Sequence, residues 1–246
     1  MSEKLNNKDL AMYSINKNVH LETKPRYGAW SGLAKRFLAR LDAKTYEHIV
    51  ISEQTIEYPL LFQNLIPAPS KVLDFGCVEG LLPIQLCALG YQVTGLDFRP
   101  YPLSHPNFDF IQADILTWQP PEGMFDAVIS ISTVEHVGLG GYEDPTTETG
   151  DKVAVQKLFS ACRTGGYVYL SVPAGQPSNQ RNFRVYNVER IRELVPNIQT
   201  LRFFTKTQRY APWQETPAEA VDHLVYDDYY TVAPVQGVAF IIAQKV

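Results

Sequence analysis

Three aspartates stand where predicted β-strands end, and their order along the chain is the first sign of chemistry. Asp74 lies near the end of one short apolar run, Asp97 closes a second, and Asp114 follows a third. Ligands of open parallel sheets bind beyond the carboxyl ends of the strands, where a carboxylate accepts hydrogen bonds from ribose hydroxyls, amines or an ammonium group. Each aspartate alone is equally well explained as the cap of a following helix. The three in order favour a pocket for a nucleoside that carries positive charge.

The turn after the first strand, residues 76–80, is the second feature of this candidate pocket. Gly76 allows a tight turn and a close approach of the backbone to a ligand, and Gly80 lets the next helix begin close to the sheet. Val78 stands where the dinucleotide-binding pattern G-x-G-x-x-G has its middle glycine. A neighbouring carboxylate repels a pyrophosphate and attracts an ammonium group. The turn therefore indicates a cationic nucleoside rather than a dinucleotide.

His136 follows the fourth predicted strand and is the candidate general base. Its imidazole can remove a proton from an acceptor hydroxyl, and Glu135 or Asp144 can orient the ring. The competing interpretation is that the Glu-His pair only caps or packs the following helix. A metal site built from these three side chains matches no standard ligand spacing, so we predict no metal.

A mostly parallel sheet is needed to bring these residues together, and the sequence predicts one. Short apolar runs alternate with helical patterns, which is typical of βαβ units in an α/β fold. The last two strand candidates lack a helix of standard length between them, so antiparallel pairing is expected there. The predicted strands are 72–75, 92–96, 108–112, 125–132, 167–172, 199–204 and 235–246, and the predicted helices are 80–89, 152–162 and 187–194.

Two segments flank or interrupt this pattern within what we predict is one structural domain. Residues 1–66 form a polar segment and a helical cover, with helices over 31–41 and 52–66 and a kink or restart at Pro59. Residues 67–246 form the sheet domain, with an insertion at 205–234 that is polar and aromatic. The insertion either covers the substrate or packs on the sheet edge.

Composition and charge exclude several classes of function. The 246 residues carry 22 Lys and Arg against 26 Asp and Glu, a net charge of -4, so a bulk basic face for nucleic acid or an anionic membrane is not expected. Three scattered cysteines predict neither disulfides nor zinc. The polar N-terminus and the lack of a long apolar stretch predict a cytoplasmic protein without signal or membrane span.

Four motifs resemble, in order, those of class I S-adenosylmethionine-dependent methyltransferases: residues 72–80, 96–97, 113–115 and 125–130. The resemblance implies a Rossmann-like, seven-stranded, mostly parallel sheet with helices on both faces and the last strand antiparallel. Val78 departs from the family pattern, which more often has glycine there. S-adenosylmethionine is the implied cofactor, and its implied contacts are Asp74, Phe75, Gly76, Cys77, Gly80, Asp97, Phe98, Asp114, Ile115 and Ser132.

A further stretch, residues 132–151 together with 172–173 and 184–186, resembles a branch of methyltransferase-like proteins associated with bacterial polysaccharide and glycan biosynthesis. This implies O-methylation of a small molecule or a sugar precursor, by in-line transfer with His136 as base and Glu135 beside it. Two alternatives stay open. One is an inactive or weakly active cofactor-binding module of the same fold, and the other is a methyltransferase for a protein or RNA nucleophile. The sequence does not indicate the oligomeric state.

Overall fold

The computed structural model describes residues 19–21, 49–78, 80–141, 146–180, 182–208, 211–227 and 235–246. The chain separates into two compact units, residues 1–55 and 56–246. In the first unit, strands β1 (Val19–Leu21) and β2 (Ile49–Ile51) pair antiparallel. The helix predicted over 31–41 lies outside the described residues. In the part of the chain that the structure describes, no helix has the length and apolar character needed to cross a membrane.

An eight-stranded sheet forms the centre of the second unit. Its strand order is β11-β10-β12-β7-β6-β3-β4-β5, and a separate two-stranded hairpin joins β8 to β9. Along the chain the strands are β3 (Lys71–Phe75), β4 (Gln92–Asp97), β5 (Phe108–Gln112), β6 (Phe125–Ile131), β7 (Cys162–Pro173), β8 (Ser178–Asn179), β9 (Arg184–Val185), β10 (Ile198–Lys206), β11 (Gln214–Thr216) and β12 (Gln236–Gln244).

The pairing confirms the predicted sheet. Strands β5, β4, β3, β6 and β7 are parallel neighbours, and β12 runs antiparallel between β7 and β10. The order reverses at β3, which pairs with β4 on one side and β6 on the other, so the crevice expected at such a switch point lies at its carboxyl end. The predicted strand over 167–172 begins earlier, at Cys162, because residues 163–166 bulge out of the pairing with β6.

The eighth strand was not predicted, and it comes from the insertion at 205–234. β11 pairs antiparallel with β10 at the sheet edge. The guanidinium of Arg202 donates two hydrogen bonds of 2.8 Å to the Glu215 carboxylate, and the hydroxyls of Thr205 and Thr216 lie 2.7 Å apart. These side-chain pairs join the first part of the insertion to the sheet.

Among the described residues, five helices lie around the sheet: α1 (Gln54–Asn64), α2 (Leu82–Ala88), α3 (Gly150–Ala161), α4 (Val188–Leu194) and α5 (Ala218–Val221). The restart predicted at Pro59 is wrong, since α1 continues through this residue, its sixth, as one helix, and the kink stays a prediction. A proline inside a helix removes a backbone donor, which neighbouring packing can offset. Gly90, at φ +95, follows the end of α2, and the Asn187 side chain caps α4 by accepting a hydrogen bond from the Arg190 amide.

Helices cover both faces of the sheet, as expected, and each face has its own buried apolar cluster. One cluster contains Leu158 of α3 with Val128 and Leu170 of the sheet. The other contains Leu61 of α1 with Ile129 of the sheet. Consecutive residues of β6, Val128 and Ile129, thus contribute to opposite clusters, as the two-residue period of a strand requires.

Candidate cofactor and acceptor site

The turn at the carboxyl end of β3 is closely packed against the backbone of its neighbours. Gly76 adopts φ +76, and its amide donates a 2.8 Å hydrogen bond to the carbonyl of Leu96. A Cβ at this position would lie 2.2 Å from the side chain of Thr133, so no other residue fits without rearrangement. At the far end of the turn, a Cβ on Gly80 would lie 3.1 Å from the hydroxyl of Tyr58. The turn exposes backbone rather than side chains, as a close ligand approach requires.

Asp74 lies just before this turn and carries an unusual buried carboxyl group. The residue is 3% exposed, and its Oδ2 has no hydrogen-bond partner among the described residues. Burial, with a smaller contribution from the charge of Asp97, raises the pKa of Asp74 to about 8. A buried carboxyl oxygen without a partner is costly unless a ligand supplies a donor or a positive charge.

Asp97 at the end of β4 holds the turn by its carboxylate. Its Oδ2 accepts a 3.1 Å hydrogen bond from the amide of Val78, and its Oδ1 accepts one of 3.0 Å from the amide of Arg99. The Arg99 Nε also lies 3.5 Å from Oδ1. Each carboxylate oxygen can accept more than one hydrogen bond. Asp97 therefore fixes the path of the loop and keeps acceptor capacity for the hydroxyls of a ligand.

Asp114 lies two residues past Gln112, which pairs with Asp97 between the neighbouring strands β4 and β5. Its Oδ1 accepts a 2.9 Å hydrogen bond from the amide of Leu116. One of the two carboxylate oxygens of Asp114 therefore closes the turn that follows β5, rather than capping a helix. Ile115 beside it is 3% exposed and packs into the core. A role for Asp114 and Ile115 at the ligand stays a prediction.

The other predicted contacts line the same edge of the sheet. Phe98 is 39% exposed, and the guanidinium of Arg99 lies 5.6 Å from the centre of its ring. Phe75 and Cys77 are buried. The Cys77 sulfur packs on the backbone of Gly95, where a Cβ would lie 2.8 Å away, and burial raises the pKa of the thiol, so it stays neutral. An exposed aromatic ring beside a buried loop is a suitable surface for a flat ligand.

Two tyrosines that the sequence did not indicate complete this end of the site. The Tyr101 hydroxyl donates a 2.9 Å hydrogen bond to the carbonyl of Gly80. Burial raises the pKa of both Tyr58 and Tyr101, and the charge of Asp74 raises each further. Both phenols are therefore neutral donors near the Asp74 carboxyl group. No motif surrounds either tyrosine, and Tyr58 belongs to α1, which precedes the strands of the main sheet.

Ser132 marks the opposite side of the crevice, at the carboxyl end of β6. It adopts φ 45, an uncommon conformation for a residue other than glycine, and its amide donates to both the carbonyl and the hydroxyl of Ser171. Its own hydroxyl donates a 2.7 Å hydrogen bond to Oε1 of Glu57. Glu57 belongs to α1 and is fully buried. Sequence patterns do not indicate this carboxylate, because its partner lies far along the chain.

His136 and Glu135 lie in a short 3₁₀ helix, Val134–His136, that follows Ser132. The His136 Nδ1 forms a short hydrogen bond with the backbone carbonyl of Asn182. Because a carbonyl only accepts, Nδ1 carries the hydrogen of the neutral ring and Nε2 is its acceptor. Nε2 lies 3.7 Å from Oε1 of the buried Glu135 carboxylate, and the His136 side chain is 26% exposed. The neutral ring thus has its proton-accepting nitrogen on the side of Glu135.

Aromatic rings from separate segments approach His136. Its ring centre lies 6.2 Å from that of Phe183, which in turn lies 5.5 Å from the ring of Tyr226. Tyr226 belongs to the insertion, so part of that segment packs towards the candidate base. Farther along the sheet edge, the Lys206 ammonium lies 5.2 Å from the Trp213 ring. The remaining tyrosines of the insertion, 210, 229 and 230, lie outside the described residues.

Within the described ranges, no three His, Cys, Asp or Glu side chains lie close enough together to hold a metal ion. Asp144, considered above with Glu135 and His136, lies outside those ranges. The predicted absence of a metal therefore stays a prediction.

Comparison with known proteins gives three related results. A family model described as "Methyltransferase domain" matches residues 46–215. A ubiquinone biosynthesis O-methyltransferase of Pseudomonas fluorescens is 26% identical over 193 residues, which cover 71% of this chain and 78% of that protein. Two solved structures share the fold. They are a Burkholderia thailandensis 1,6-didemethyltoxoflavin-N1-methyltransferase with bound S-adenosylhomocysteine (TM-score 0.52, 15% identity, 95% and 98% of the two chains) and a Haemonchus contortus phosphoethanolamine N-methyltransferase with S-adenosyl-L-methionine (TM-score 0.55, 14% identity, 80% and 54%).

The family model covers more than half of the chain, so the chain belongs to the methyltransferase-domain family. It is an S-adenosylmethionine-dependent methyltransferase with the class I Rossmann-like fold. The crevice fits this cofactor on its own geometry. The oxygen of buried Asp74 that has no partner among the described residues suits an ammonium group.

Proposed function

We propose that the enzyme transfers a methyl group from S-adenosylmethionine to a hydroxyl group of a small molecule. The observation that carries the proposal is the contact of His136 Nδ1 with a backbone carbonyl, which leaves Nε2, beside the Glu135 carboxyl group, as the proton-accepting nitrogen. A base of this kind suits an acceptor that must lose a proton as it is methylated. The relative from Pseudomonas fluorescens, an O-methyltransferase of ubiquinone biosynthesis, also supports oxygen as the acceptor atom.

The residues of the crevice divide the work of binding. Asp74 would hold the cationic amino group of the cofactor, Asp97 its ribose hydroxyls, and Asp114 with Ile115 its adenine ring. When bound, the cofactor supplies an electrophilic methyl group on a sulfonium. The protein therefore contributes chiefly by aligning the two reactants and excluding water.

His136 and Glu135 act on the acceptor. Nε2 of His136 would take the hydroxyl proton while the acceptor oxygen gains the methyl group, whose bond to the cofactor sulfur breaks so that the sulfur leaves as a neutral thioether. The ring then carries a positive charge, which the Glu135 carboxylate at 3.7 Å stabilises. The proton leaves to solvent from the partly exposed imidazole after transfer. Phe183 and Tyr226 supply ring faces on which a planar or a sugar acceptor can rest.

Labelled S-adenosylmethionine and a panel of acceptors test the proposal. The panel contains catechols, methyl glycosides, nucleotide sugars, amines and an unfolded peptide, and the measurement is label transferred to each. We expect transfer to a hydroxyl compound. The catechol and glycoside arms separate a phenolic acceptor, as in ubiquinone biosynthesis, from the sugar acceptor that the sequence resemblance implies.

His136→Gln tests the base in the same assay. We expect turnover to fall on the order of 10²- to 10⁴-fold while cofactor affinity, measured by calorimetry, is unchanged. His223→Gln is the matched control, since this exposed histidine has no assigned role. Label transfer only to amines, or a His136→Gln variant with full activity on hydroxyl compounds, would refute the proposal.

A further inference from the structure

The β8–β9 hairpin packs against the 3₁₀ helix that carries the candidate base, and its key side chain is Arg184. This arginine is 2% exposed, which is rare for a charged residue. Its Nη1 donates to the carbonyl of Glu135 at 3.3 Å and to the carbonyl of Val137 at 2.7 Å. These two carbonyls belong to the residues immediately before and after His136. One guanidinium nitrogen thus holds the backbone on both sides of the base.

The rest of the guanidinium is bonded to the segment that closes this loop. Nη2 donates a 3.1 Å hydrogen bond to the carbonyl of Thr147, and Nε lies 3.8 Å from Oδ2 of Asp151. The same Asp151 oxygen accepts a 2.9 Å hydrogen bond from the Tyr186 hydroxyl. Burial, and then the charge of Asp151, raises the pKa of Tyr186, so its phenol stays a donor. The buried positive charge is therefore compensated, as burial in an apolar interior requires.

Glycines make this convergence of carbonyls possible. Gly138 adopts φ +79, and a Cβ there would lie 2.6 Å from the side chain of Thr147. At Gly150 a Cβ would lie 2.4 Å from the carbonyl oxygen of Val137. The two backbone stretches are thus close enough for one planar guanidinium to reach both. A lysine has a single point of charge and cannot reproduce this fork.

The hairpin also determines which nitrogen of His136 is protonated. Asn182, two residues before Arg184, provides the carbonyl that the His136 Nδ1 contacts. Phe183 between them places its ring 6.2 Å from the imidazole. The hydrogen bond of Nδ1 and an aromatic neighbour of the His136 ring are therefore both supplied by residues next to Arg184 in this hairpin.

We propose that Arg184 is the positioning residue of the base: its guanidinium fixes the backbone around His136 so that the Asn182 carbonyl holds Nδ1–H and Nε2 faces the acceptor. The inference rests on the proposed function, because it assigns a purpose to the orientation of His136. Arg184 touches neither reactant and acts only through the histidine. Arg184 lies in the stretch 184–186, which resembles the methyltransferase-like branch named above. No step of the proposed reaction involves its side chain.

Arg184→Lys tests the proposal, because it keeps the charge and removes the fork. We expect kcat to fall on the order of 10²-fold, the cost of a small misplacement of a reacting group, with cofactor affinity unchanged. Arg190→Lys is the matched control. This arginine donates to the carbonyl of Val185 in the same hairpin and stacks on Tyr186, but makes no bond to the 3₁₀ helix.

The ¹⁵N NMR shifts of the His136 ring separate a positioning role from a merely structural one. We expect the Nδ1–H tautomer in the wild type and in Arg190→Lys, and a mixture of tautomers in Arg184→Lys. The wild-type spectrum needs neither an acceptor nor a folded variant. A wild-type Nε2–H tautomer, or an unchanged tautomer and kcat in Arg184→Lys, would overturn the proposal. The expected tautomers without methylation of any hydroxyl would instead refute the proposed function alone.

Discussion

The two sides of the crevice are built in different ways. On the cofactor side, contacts join residues that are close along the chain, as in the hydrogen bond from the Val78 amide to Asp97. On the acceptor side, they join distant residues, as in the hydrogen bonds from Ser132 to Glu57 and from Arg184 to Val137. The first side is formed by turns at strand ends, and the second by a helix and a hairpin brought from elsewhere in the chain.

This difference indicates which properties each side controls. A cofactor common to a whole family can be held by a turn and a few carboxylates that follow from the strand pattern. An acceptor peculiar to one enzyme needs side chains from variable segments, because these can change without altering the sheet. Substitutions on the cofactor side should therefore change binding, and those on the acceptor side turnover or local stability.

Asp74→Asn gives the largest expected effect on the cofactor side. The amide cannot compensate an ammonium group, so affinity for S-adenosylmethionine should fall roughly 10- to 100-fold, the value of a hydrogen bond to a charged partner. Titration calorimetry measures the affinity. Asp109→Asn on the edge strand β5 is the control, since that side chain is exposed. Equal affinity in Asp74→Asn and wild type would remove the distinction between the two sides.

Cofactor affinity should also depend on pH through Asp74. With a pKa of about 8 in the free protein, the carboxyl group is mostly protonated at pH 6 and must ionise to bind an ammonium. Affinity should therefore rise by up to tenfold per pH unit between pH 6 and 8 as the carboxyl group ionises, and fall again where the ligand's amino group loses its proton. Calorimetry across this range, with proton release measured in two buffers, provides the test. Asp74→Asn should show no such slope.

The same raised pKa has the opposite effect on the free protein. Since the folded state holds the proton more tightly than the unfolded state, the contribution of Asp74 to stability is largest at low pH and is lost as pH rises through 8. Urea unfolding of wild type and Asp74→Asn at pH 6 and pH 9 measures it. We expect Asn to be relatively more stabilising at pH 9. A constant difference between the two proteins would argue against the raised pKa.

Two serines of the β6 region sharpen the comparison on the acceptor side, with the smallest expected effect. Ser132→Ala removes the donor to buried Glu57 and should lower the free energy of unfolding by about 1–3 kcal/mol. Ser130→Ala is the matched control, because the Ser130 hydroxyl is buried without a partner among the described residues and its loss should be neutral or stabilising. Chemical denaturation measures both. Equal costs would show that the Ser132–Glu57 contact is not what holds this edge.

Much of the sheet could be predicted from the sequence because its signals are local. Apolar runs gave the positions of β3 to β7, and Gly90 and Asn187 marked the end of one helix and the start of another. Antiparallel pairing of β10 and β12 followed from the lack of a helix between them. The three aspartates were found for the same reason, since strand ends are visible in the pattern.

The acceptor side could not be predicted because its determinants are separated along the chain. Glu57 looked like an ordinary position of a covering helix, and only the folded structure brings it to Ser132. Arg184 carried no sign that its partners would be backbone carbonyls. The continuity of α1 through Pro59 was likewise decided by packing rather than by local propensity.

Strand β11 has a consequence for how new acceptors can be accommodated. Because Arg202 and Thr205 tie it to β10, the inserted segment is fastened to the scaffold before it reaches the crevice. Exposed residues between this anchor and β12, such as Val225, can therefore be substituted without breaking the pairing of β10 with β11. The pairing of β11 with β10 anchors the inserted segment, and the exposed positions past Thr216 are the variable part. Laboratory evolution of an altered substrate range is best directed to those positions.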